Sequence, residues 1–104
     1  MSNLNYNETG QVIRVNVGKD ITTATPSLAL LPEVGIKKVI VDGVTIPAVD
    51  VDVDNDTYYA GEYIEYVTLQ DDIDYAGRWK KKAFLEYSAA NIEQTDYVKF
   101  RVMP

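Results

Sequence analysis

The sequence contains neither cysteine nor histidine. Without cysteine the chain has no disulfides, no thiolate metal ligands and no thiol nucleophile. Without histidine, acid–base catalysis near neutral pH would need a carboxylate, lysine or tyrosine with a shifted pKa, and Ser-His-Asp or Cys-His arrangements are excluded. The six glycines stand singly, so there is no glycine-rich phosphate loop. These absences predict a protein that is not an enzyme and that uses no cofactor.

Long apolar runs are also missing. No segment approaches the roughly 20 apolar residues of a membrane-spanning helix, and the opening MSNLNYNETG lacks the basic and apolar regions of a signal peptide. We therefore expect synthesis in the cytoplasm and no membrane partner. Ten Lys or Arg stand against sixteen Asp or Glu, so the net charge is −6. A field of this sign repels polyphosphate, and nucleic acid is not an expected partner.

What the chain does have is β-strand patterning. Alternation of apolar and polar residues predicts strands in GQVIRVNVG, SLALL, EYIEYVTL, RWKKKAFLEY and YVKFRV. Asp42-Gly43 predicts a two-residue hairpin turn between residues 36–41 and residues 44–53, and Pro47 favours an edge or a bulge for the second strand. About seven strands without an amphipathic helix predict an all-β fold, an antiparallel β-sandwich of immunoglobulin type. We expect one domain, 1–104, with residues 1–10 as a flexible or docking N-terminal arm.

The segment RWKKKAFLEY has two faces. We expect the face that begins at Trp79 to enter the core, with Lys81 snorkelling from beneath the rim, and Lys80 and Lys82 to point away. The preceding DDIDYAG is expected to form the crossover into this strand. Within it, Asp72 belongs to the acidic turn, Ile73 points inward and Gly77 supplies a backbone conformation that other residues resist.

This segment also carries a family resemblance. Residues 67–87 combine an aliphatic residue with T-x-x-D-D-I-D-x-A-G-x-W-x-x-x-A-x-L-E-Y, and a final YVKFRV strand follows. The pattern resembles a group of small tailed-phage proteins with immunoglobulin-like domains, in which an acidic crossover and A-G-x-W introduce the penultimate strand. The opening GQVIRVNVGKDITTAT is similar to their usual beginning, whereas LPEVG at residues 31–35 differs from their usual K-P-D-G turn. The same layout recurs in the N-terminal domain of the phage baseplate upper protein.

The resemblance implies a structural or accessory protein of the virion, with no catalytic residues. Its implied partners are other virion proteins of the capsid, neck, tail or baseplate, and its implied state is a homo-oligomer or many copies on a symmetric particle. Two functions remain open. One is a capsid decoration or cement protein, or a tail-associated component, and the other is a host-surface or carbohydrate-binding adhesion module of a tail fibre or baseplate.

An acidic row, defined as Asp50, Asp52, Asp54 and Asp56, alternates with apolar residues. Several carboxylates suggest a calcium site, but an EF-hand loop that starts at Asp50 would need glycine where Asn55 stands and glutamate where Gly61 stands. On a strand the four carboxylates would share one face while Val49, Val51 and Val53 pack inward. A solvated surface, a contact between subunits and a weak cation site all remain open.

Two further groups are candidates for contact with partners. The basic run Arg78, Lys80, Lys81 and Lys82 could be a solvated face, a phosphate site or a complement to the acidic row of another copy. Tyrosines crowd between residues 58 and 75. Tyr58 and Tyr59, placed in a loop, are candidates for contact with a partner or a glycan. Tyr63 and Tyr66 fall on opposite faces of a strand, so we expect at least one of them to be exposed or at an interface.

Overall fold

The computed structural model describes residues 4–104, which fold into strands joined by turns and loops. No helix occurs among these residues, so the all-β prediction is confirmed, although there are ten short strands where about seven were expected. The strands are β1 (Leu4–Asn5), β2 (Val12–Asn16), β3 (Thr25–Pro32), β4 (Lys38–Ile40), β5 (Val51–Val53), β6 (Asp56–Tyr58), β7 (Tyr63–Val67), β8 (Gly77–Ser88), β9 (Asn91–Gln94) and β10 (Val98–Met103). Residues 4–104 contain no helix long and apolar enough to cross a membrane.

Strand β8 organises the larger sheet. Along one edge β8 pairs first with β10 and then, further along, with β9, and along the other edge it pairs with β3. The strand order is therefore β1-β10-β8-β3-β4, with β9 following β10 along the same edge of β8. Its twelve residues make it the longest strand of the described chain, so it supplies both a core face and a surface face for three neighbours.

The second sheet is smaller. Strands β2 and β7 pair antiparallel from Val12–Val67 to Asn16–Tyr63, and Thr45 bridges to Glu65 on the free side of β7. Strands β5 and β6 form a separate hairpin.

A single apolar core lies between the two sheets. Alternate residues of each strand point into it, as the period of two requires. The core residues of the larger sheet are Leu4, Leu28, Leu30, Trp79, Ala83, Leu85, Phe100 and Val102, and those of the second sheet are Ile13, Val15, Ile64 and Tyr66. Ile21 and Ile73 enter from connecting segments and are buried as fully as the strand residues.

The hairpin predicted across Asp42-Gly43 is wrong. Strand β4 pairs with β3, and the chain then crosses to the other sheet, where Thr45 exchanges two hydrogen bonds of 2.9 Å with Glu65. Both β-branched runs thereby reach the core, each from a different sheet. Gly43 has φ +80°, a backbone conformation that L side chains rarely adopt, so the turn favours glycine although it is not a hairpin turn.

A hairpin does form a few residues later, between β5 and β6. Its turn residues Asp54 and Asn55 have φ values of 50° and 69°, which is the backbone of a two-residue turn of type I′. The predicted strand 44–53 therefore ends in a hairpin. Tyr58, which was placed in a loop, belongs to β6. Val49 was expected to pack inward but is largely exposed, because regular pairing starts only at Val51.

The N-terminal segment is partly described. Residues 1–3 of the predicted arm, 1–10, lie outside the described residues. Leu4 and Asn5 form β1, which runs parallel to the end of β10, and the Leu4 side chain is buried. Asn7 N donates to Ile73 O at 2.8 Å and Gly10 N to Thr68 O at 2.8 Å, so this segment is hydrogen-bonded to its own domain.

The acidic crossover, residues 71–74, makes polar contacts with strands of both sheets. The Asp72 carboxylate accepts hydrogen bonds from the Tyr66 hydroxyl and, at 2.7 Å, from Leu69 N. From β4, Lys38 Nζ reaches Asp71 O at 2.8 Å and the Asp74 carboxylate at 3.1 Å. Burial and the bond to Asp72 raise the pKa of Tyr66 to about 12.

The end of the crossover positions β8. Ile73 is buried, and Trp79 Nε1 donates to Tyr75 O at 2.8 Å, which fixes the indole in the core. Gly77 has φ +127°, and a Cβ there would lie 3.2 Å from the Tyr75 ring. These contacts set the register at which β8 begins, and so decide which of its residues face outward.

Candidate interaction surface

The outward face of β8 carries cations on alternate residues. Arg78 and Lys80 point away from the core, since Trp79 and Lys81, which alternate with them along the strand, are buried. Strand β10 adds two more, because Lys99 stands opposite Lys80 and Arg101 opposite Arg78 in the register. We call this set of four residues, Arg78, Lys80, Lys99 and Arg101, the basic face.

The basic face contains two like-charge pairs directly across neighbouring strands, an arrangement that destabilises a sheet. Within residues 4–104, no ion pair joins any of the four cations to a carboxylate. The ion pairs that form there are Arg14–Glu65, Lys19–Glu93 and Lys38–Asp74. On a chain of net charge −6, the sheet thus gathers unpaired positive charge in one place.

A groove of about 780 Å³ runs along the basic face. Glu33 contributes the one carboxylate among its described lining residues, and Leu31, Pro32 and Gly35 form one side at the end of β3. The strand segments at Trp79 and Phe100 also border it, but their rings, with centroids 6.1 Å apart, point into the core. The groove therefore offers four cations beside the apolar residues Leu31 and Pro32, which suits an acidic protein segment.

Lys82 lies beside the groove rather than in it. Its Nζ donates to Gln94 Oε1 at 2.7 Å and sits 5.1 Å from the Phe84 ring centroid and 4.5 Å from that of Tyr97. Lys37 approaches Phe84 from the other side, at 5.3 Å. Cation–π contacts hold these two lysines against the sheet. Of the predicted interface residues, Arg78 and Lys80 thus belong to the groove.

Lys99 and Arg101 were missed as interface residues. The alternation in YVKFRV placed both cations on the face opposite Phe100, but the sequence does not say which strand β10 joins. Pairing of β10 with the first half of β8 doubles the local charge. Lys81 was expected to snorkel, and its side chain is only 7% exposed. No buried polar side-chain atom of the described residues lacks a hydrogen-bond partner, so the unbonded Lys81 amine keeps contact with solvent at the sheet edge.

The acidic row lies on the hairpin β5–β6. Asp50 accepts a hydrogen bond from Ala60 N and Asp52 one from Thr57 Oγ1, each at 2.7 Å. All four carboxylates are exposed, and Asp54 occupies the turn. Among the described residues, no three carboxylates converge into a group that could hold a metal ion. The prediction that the four carboxylates share one face is wrong, because the register pairs Asp52 with Thr57 and Asp56 with Val53 and so puts Asp52 and Asp56 on opposite faces of the hairpin.

The tyrosines mostly pack. Tyr58 and Tyr63 make an edge-to-face contact with centroids 5.4 Å apart, and the Tyr63 hydroxyl donates to Val49 O at 3.0 Å. The expectation that Tyr63 or Tyr66 is exposed is wrong: their exposed fractions are 0% and 4%. Tyr66 faces the core, and Tyr63 points the other way but is covered by the hairpin. Burial raises the pKa of Tyr58 and Tyr63, and Tyr59 remains exposed.

The two charged regions lie on different surfaces of the molecule. The basic face is on the outer surface of the larger sheet, whereas the acidic row is on the hairpin that packs on Tyr63 of the second sheet and reaches the sheet edge beside Lys81 and Val98. A contact between one region and its opposite in another copy is therefore head to tail.

Comparison of the chain with protein-family models, with curated proteins and with solved structures found no match in any of the three.

Proposed function

We propose that this chain is a non-enzymatic structural protein of a tailed-phage virion, a capsid decoration or cement protein or a tail-associated component. It is made in the host cytoplasm, incorporated into the virion in several copies, and acts through protein–protein contacts. The observation that carries the proposal is the basic face, a groove of unpaired cations on an acidic molecule. The resemblance of residues 67–87 to small tailed-phage proteins supplies the biological setting.

The proposed architecture is an immunoglobulin-like β-sandwich. Two sheets that face each other across one core support this, as does the buried Trp79 on the central strand of the larger sheet. A domain of this kind contributes contact area and rigid display of its outer faces rather than chemistry.

The partner that fits the basic face is acidic. Like charges at directly opposed positions destabilise the isolated sheet, and carboxylates placed between them would relieve that repulsion. The acidic row of a second copy supplies such carboxylates from a different surface of the molecule. A heterologous contact of this type closes into a ring or follows the symmetry of a larger particle.

The expected strength is modest. Exposed ion pairs contribute about 0–1 kcal/mol each, so four cations give weak association between free molecules. Copies held close together on a particle surface gain avidity, because each further contact becomes effectively intramolecular. We therefore expect weak, salt-sensitive self-association in solution and firm attachment on an assembled particle.

Mass spectrometry of purified particles against the lysate tests the location. Enrichment in many copies relative to the major capsid protein would support decoration of the capsid, and a few copies would support the neck, tail or fibre. Absence from particles would contradict a virion function and leave a soluble binding or accessory factor.

A pair of variants tests the head-to-tail contact. Lys80→Gln/Lys99→Gln removes two of the four positive charges of the basic face, and Asp54→Asn/Asp56→Asn removes two of the four negative charges of the acidic row. By sedimentation at low salt, wild type should form an open series of oligomers, each variant alone should be monomeric, and their mixture should stop at dimers. At about 300 mM salt, where the Debye length is shorter than about 10 Å, association should vanish. Oligomers that ignore salt and both variants would contradict the contact.

The alternative is an adhesion module for host surfaces or glycans, favoured by one observation. Tyr59 is 54% exposed at the base of the hairpin, where an open aromatic ring can stack on a sugar. Binding of the isolated domain to immobilised glycans, lost in Tyr59→Ala and kept in Lys80→Gln/Lys99→Gln, would support adhesion over structural attachment.

A further inference from the structure

A second, smaller cavity lies apart from the basic face. Its volume is about 190 Å³, enough for roughly six water molecules at ~30 Å³ each. It lies where the hairpin β5–β6 meets the edge of the two sheets. The lining residues that matter here are Arg14 and Asn16 of β2, Asp56 and Tyr58 of β6, and Lys81 of β8. Lys81 faces this cavity because it points inward from β8, opposite to Lys80.

Lys81 is the unusual member of this cavity. Its side chain is 7% exposed, and its cross-strand neighbours in the larger sheet, Leu30 and Val98, are apolar. Within the described part of the chain, Lys81 makes no hydrogen bond and no ion pair, and its amine lies 5.6 Å from the Phe100 ring centroid. An ammonium taken out of water in this way is costly unless an anion or several acceptors surround it.

The other charges of the cavity do not supply that anion. Arg14 adds a like charge, and its Nε already donates to Glu65 Oε2 at 3.0 Å. Asp56 lies at the cavity, but no ion pair within residues 4–104 connects it to Lys81. Burial first, and then the charge of Arg14, lower the pKa of Lys81 to about 8. At neutral pH the amine is therefore largely protonated and lacks a counter-ion.

We propose that this cavity binds a small oxyanion, a carboxylate or phosphate group, between the Lys81 ammonium and the Arg14 guanidinium. An oxyanion accepts charge-assisted hydrogen bonds from both cations, and the Asn16 amide and the Tyr58 hydroxyl are further donors at the same cavity. The Asp56 carboxylate repels a second negative charge, so the site favours a small ligand of low charge. This site does not involve the groove on the outer face of the larger sheet, and although it shares Asp56 with the acidic row, its cations Lys81 and Arg14 take no part in the proposed virion function.

Titration of the full chain with sodium phosphate and, separately, sodium acetate tests the site at constant ionic strength, with chloride as the reference. Amide resonances of Arg14, Lys81 and Val98 should shift saturably, with a dissociation constant on the order of 1 mM. Saturation by phosphate alone identifies a phosphate site, and saturation by acetate alone or by both identifies a carboxylate or a general oxyanion site. Linear shifts equal to those of chloride would overturn the proposal.

Neighbouring lysines provide matched variants. Lys81→Met should abolish saturation, whereas Lys80→Met, one residue away on the outer face, should leave it unchanged. Wild-type affinity for acetate, which stays ionised throughout, should fall about tenfold between pH 7 and pH 9 as Lys81 loses its proton. Phosphate does not serve for this comparison, because it gains negative charge over the same interval. The other charged or titratable groups around this cavity are Arg14 with its partner Glu65, Asp56 and Tyr58, and burial raises the pKa of Tyr58, away from this interval. Binding that persists in Lys81→Met would overturn the site.

A measurement on the wild-type chain avoids any dependence on variants. With lysine side chains isotopically labelled, the pKa of Lys81 can be followed directly by NMR. A saturating anion should raise it from about 8 toward the ordinary 10.5, because an adjacent negative charge favours the ammonium. A Lys81 pKa that does not move at anion concentrations that saturate the amide shifts would contradict an ion contact at this residue.

Discussion

Lys80 and Lys81 are adjacent in the chain and differ in almost every physical respect. Lys80 lies on the outer surface of the larger sheet beside three other cations, and Lys81 lies inside, facing Phe100 and Arg14. Lys80 destabilises the fold through repulsion between hydrated charges, which salt screens. Lys81 destabilises it because its ammonium loses hydration; salt leaves this cost almost unchanged, but deprotonation at higher pH removes it.

The comparison extends to the two faces of β8. Trp79, Ala83 and Leu85 hold the sheets together from the inner face, while Arg78 and Lys80 on the outer face leave stability almost untouched and are available for contacts. One strand therefore separates folding from recognition by the simple alternation of its side chains. The following predictions test that separation, beginning with the largest expected effect.

Trp79→Ala should reduce the free energy of unfolding by about 3–5 kcal/mol, because it removes a fully buried ring and leaves a cavity. Arg78→Ala, its neighbour on the outer face, should change it by less than about 0.5 kcal/mol. Urea denaturation followed by far-UV circular dichroism measures both. A loss of several kcal/mol for Arg78→Ala would mean that the outer face is part of the folding core.

Lys81 should make the free energy of unfolding depend on pH between about pH 8 and pH 10.5. Its folded pKa of about 8 lies below its ordinary 10.5, so between these values the unfolded chain binds more protons, and stability rises with pH. The gain from pH 7 to pH 10 should be roughly 2 kcal/mol at 1.36 kcal/mol per pKa unit. Denaturation at several pH values measures it.

Lys81→Met is the control for this pH dependence. The variant keeps an unbranched apolar chain and has no titrating amine at this position, so its stability should not rise between pH 8 and pH 10. Subtracting the variant from wild type also removes the contributions of Tyr58, Tyr63 and Tyr66, whose raised pKa values lower stability as the pH reaches and passes about 10. An identical slope in both proteins would place the titrating group elsewhere.

The sequence predicted the faces of β8 but not their surroundings. Alternation alone put Trp79 inward and Arg78 outward, because the period of two is local. It could not show that Lys99 and Arg101 join Lys80 on one surface, since partner strands are set by the whole chain. Nor could it show how deeply Lys81 is buried, which depends on the hairpin β5–β6 at the sheet edge.

Turn chemistry misled the prediction in one place and could have guided it in another. Asp42-Gly43 was assigned a hairpin because that pair favours positive φ, but positive φ also serves a crossover between sheets. Asp54-Asn55 has the same preference and does form the hairpin turn. Tyr63 and Tyr66 were placed on opposite faces of their strand, as observed, but a covering hairpin removes the exposure of Tyr63. Local patterns gave directions, and tertiary packing decided burial.

Tyr66 contrasts with Lys81, because it is a buried side chain whose polar group does have a hydrogen-bond partner. Its hydroxyl donates to the Asp72 carboxylate, so Tyr66→Phe should lower stability by about 1 kcal/mol, the net value of one hydrogen bond. Asp72 keeps the bond from Leu69 N, which limits the loss. Chemical denaturation measures the change, and Tyr59→Phe at the exposed ring is the matched control. A stabilising Tyr66→Phe would mean that the pair resembles unpartnered Lys81.

The smallest expected effect is on the outer face and has the opposite sign. Lys80→Gln should stabilise the free domain by a few tenths of a kcal/mol, because it removes one member of the like-charge pair with Lys99. Lys82→Gln, which instead loses cation–π contacts, should not stabilise it. At about 1 M salt the gain at Lys80 should disappear as screening shortens the Debye length to ~3 Å. Thermal unfolding of all three proteins at low and high salt measures this, and a gain that survives high salt would contradict charge repulsion as its cause. If the gain is confirmed, the free domain is held below its attainable stability by cations that weaken its fold, which is expected of a surface whose charge is neutralised only in a complex.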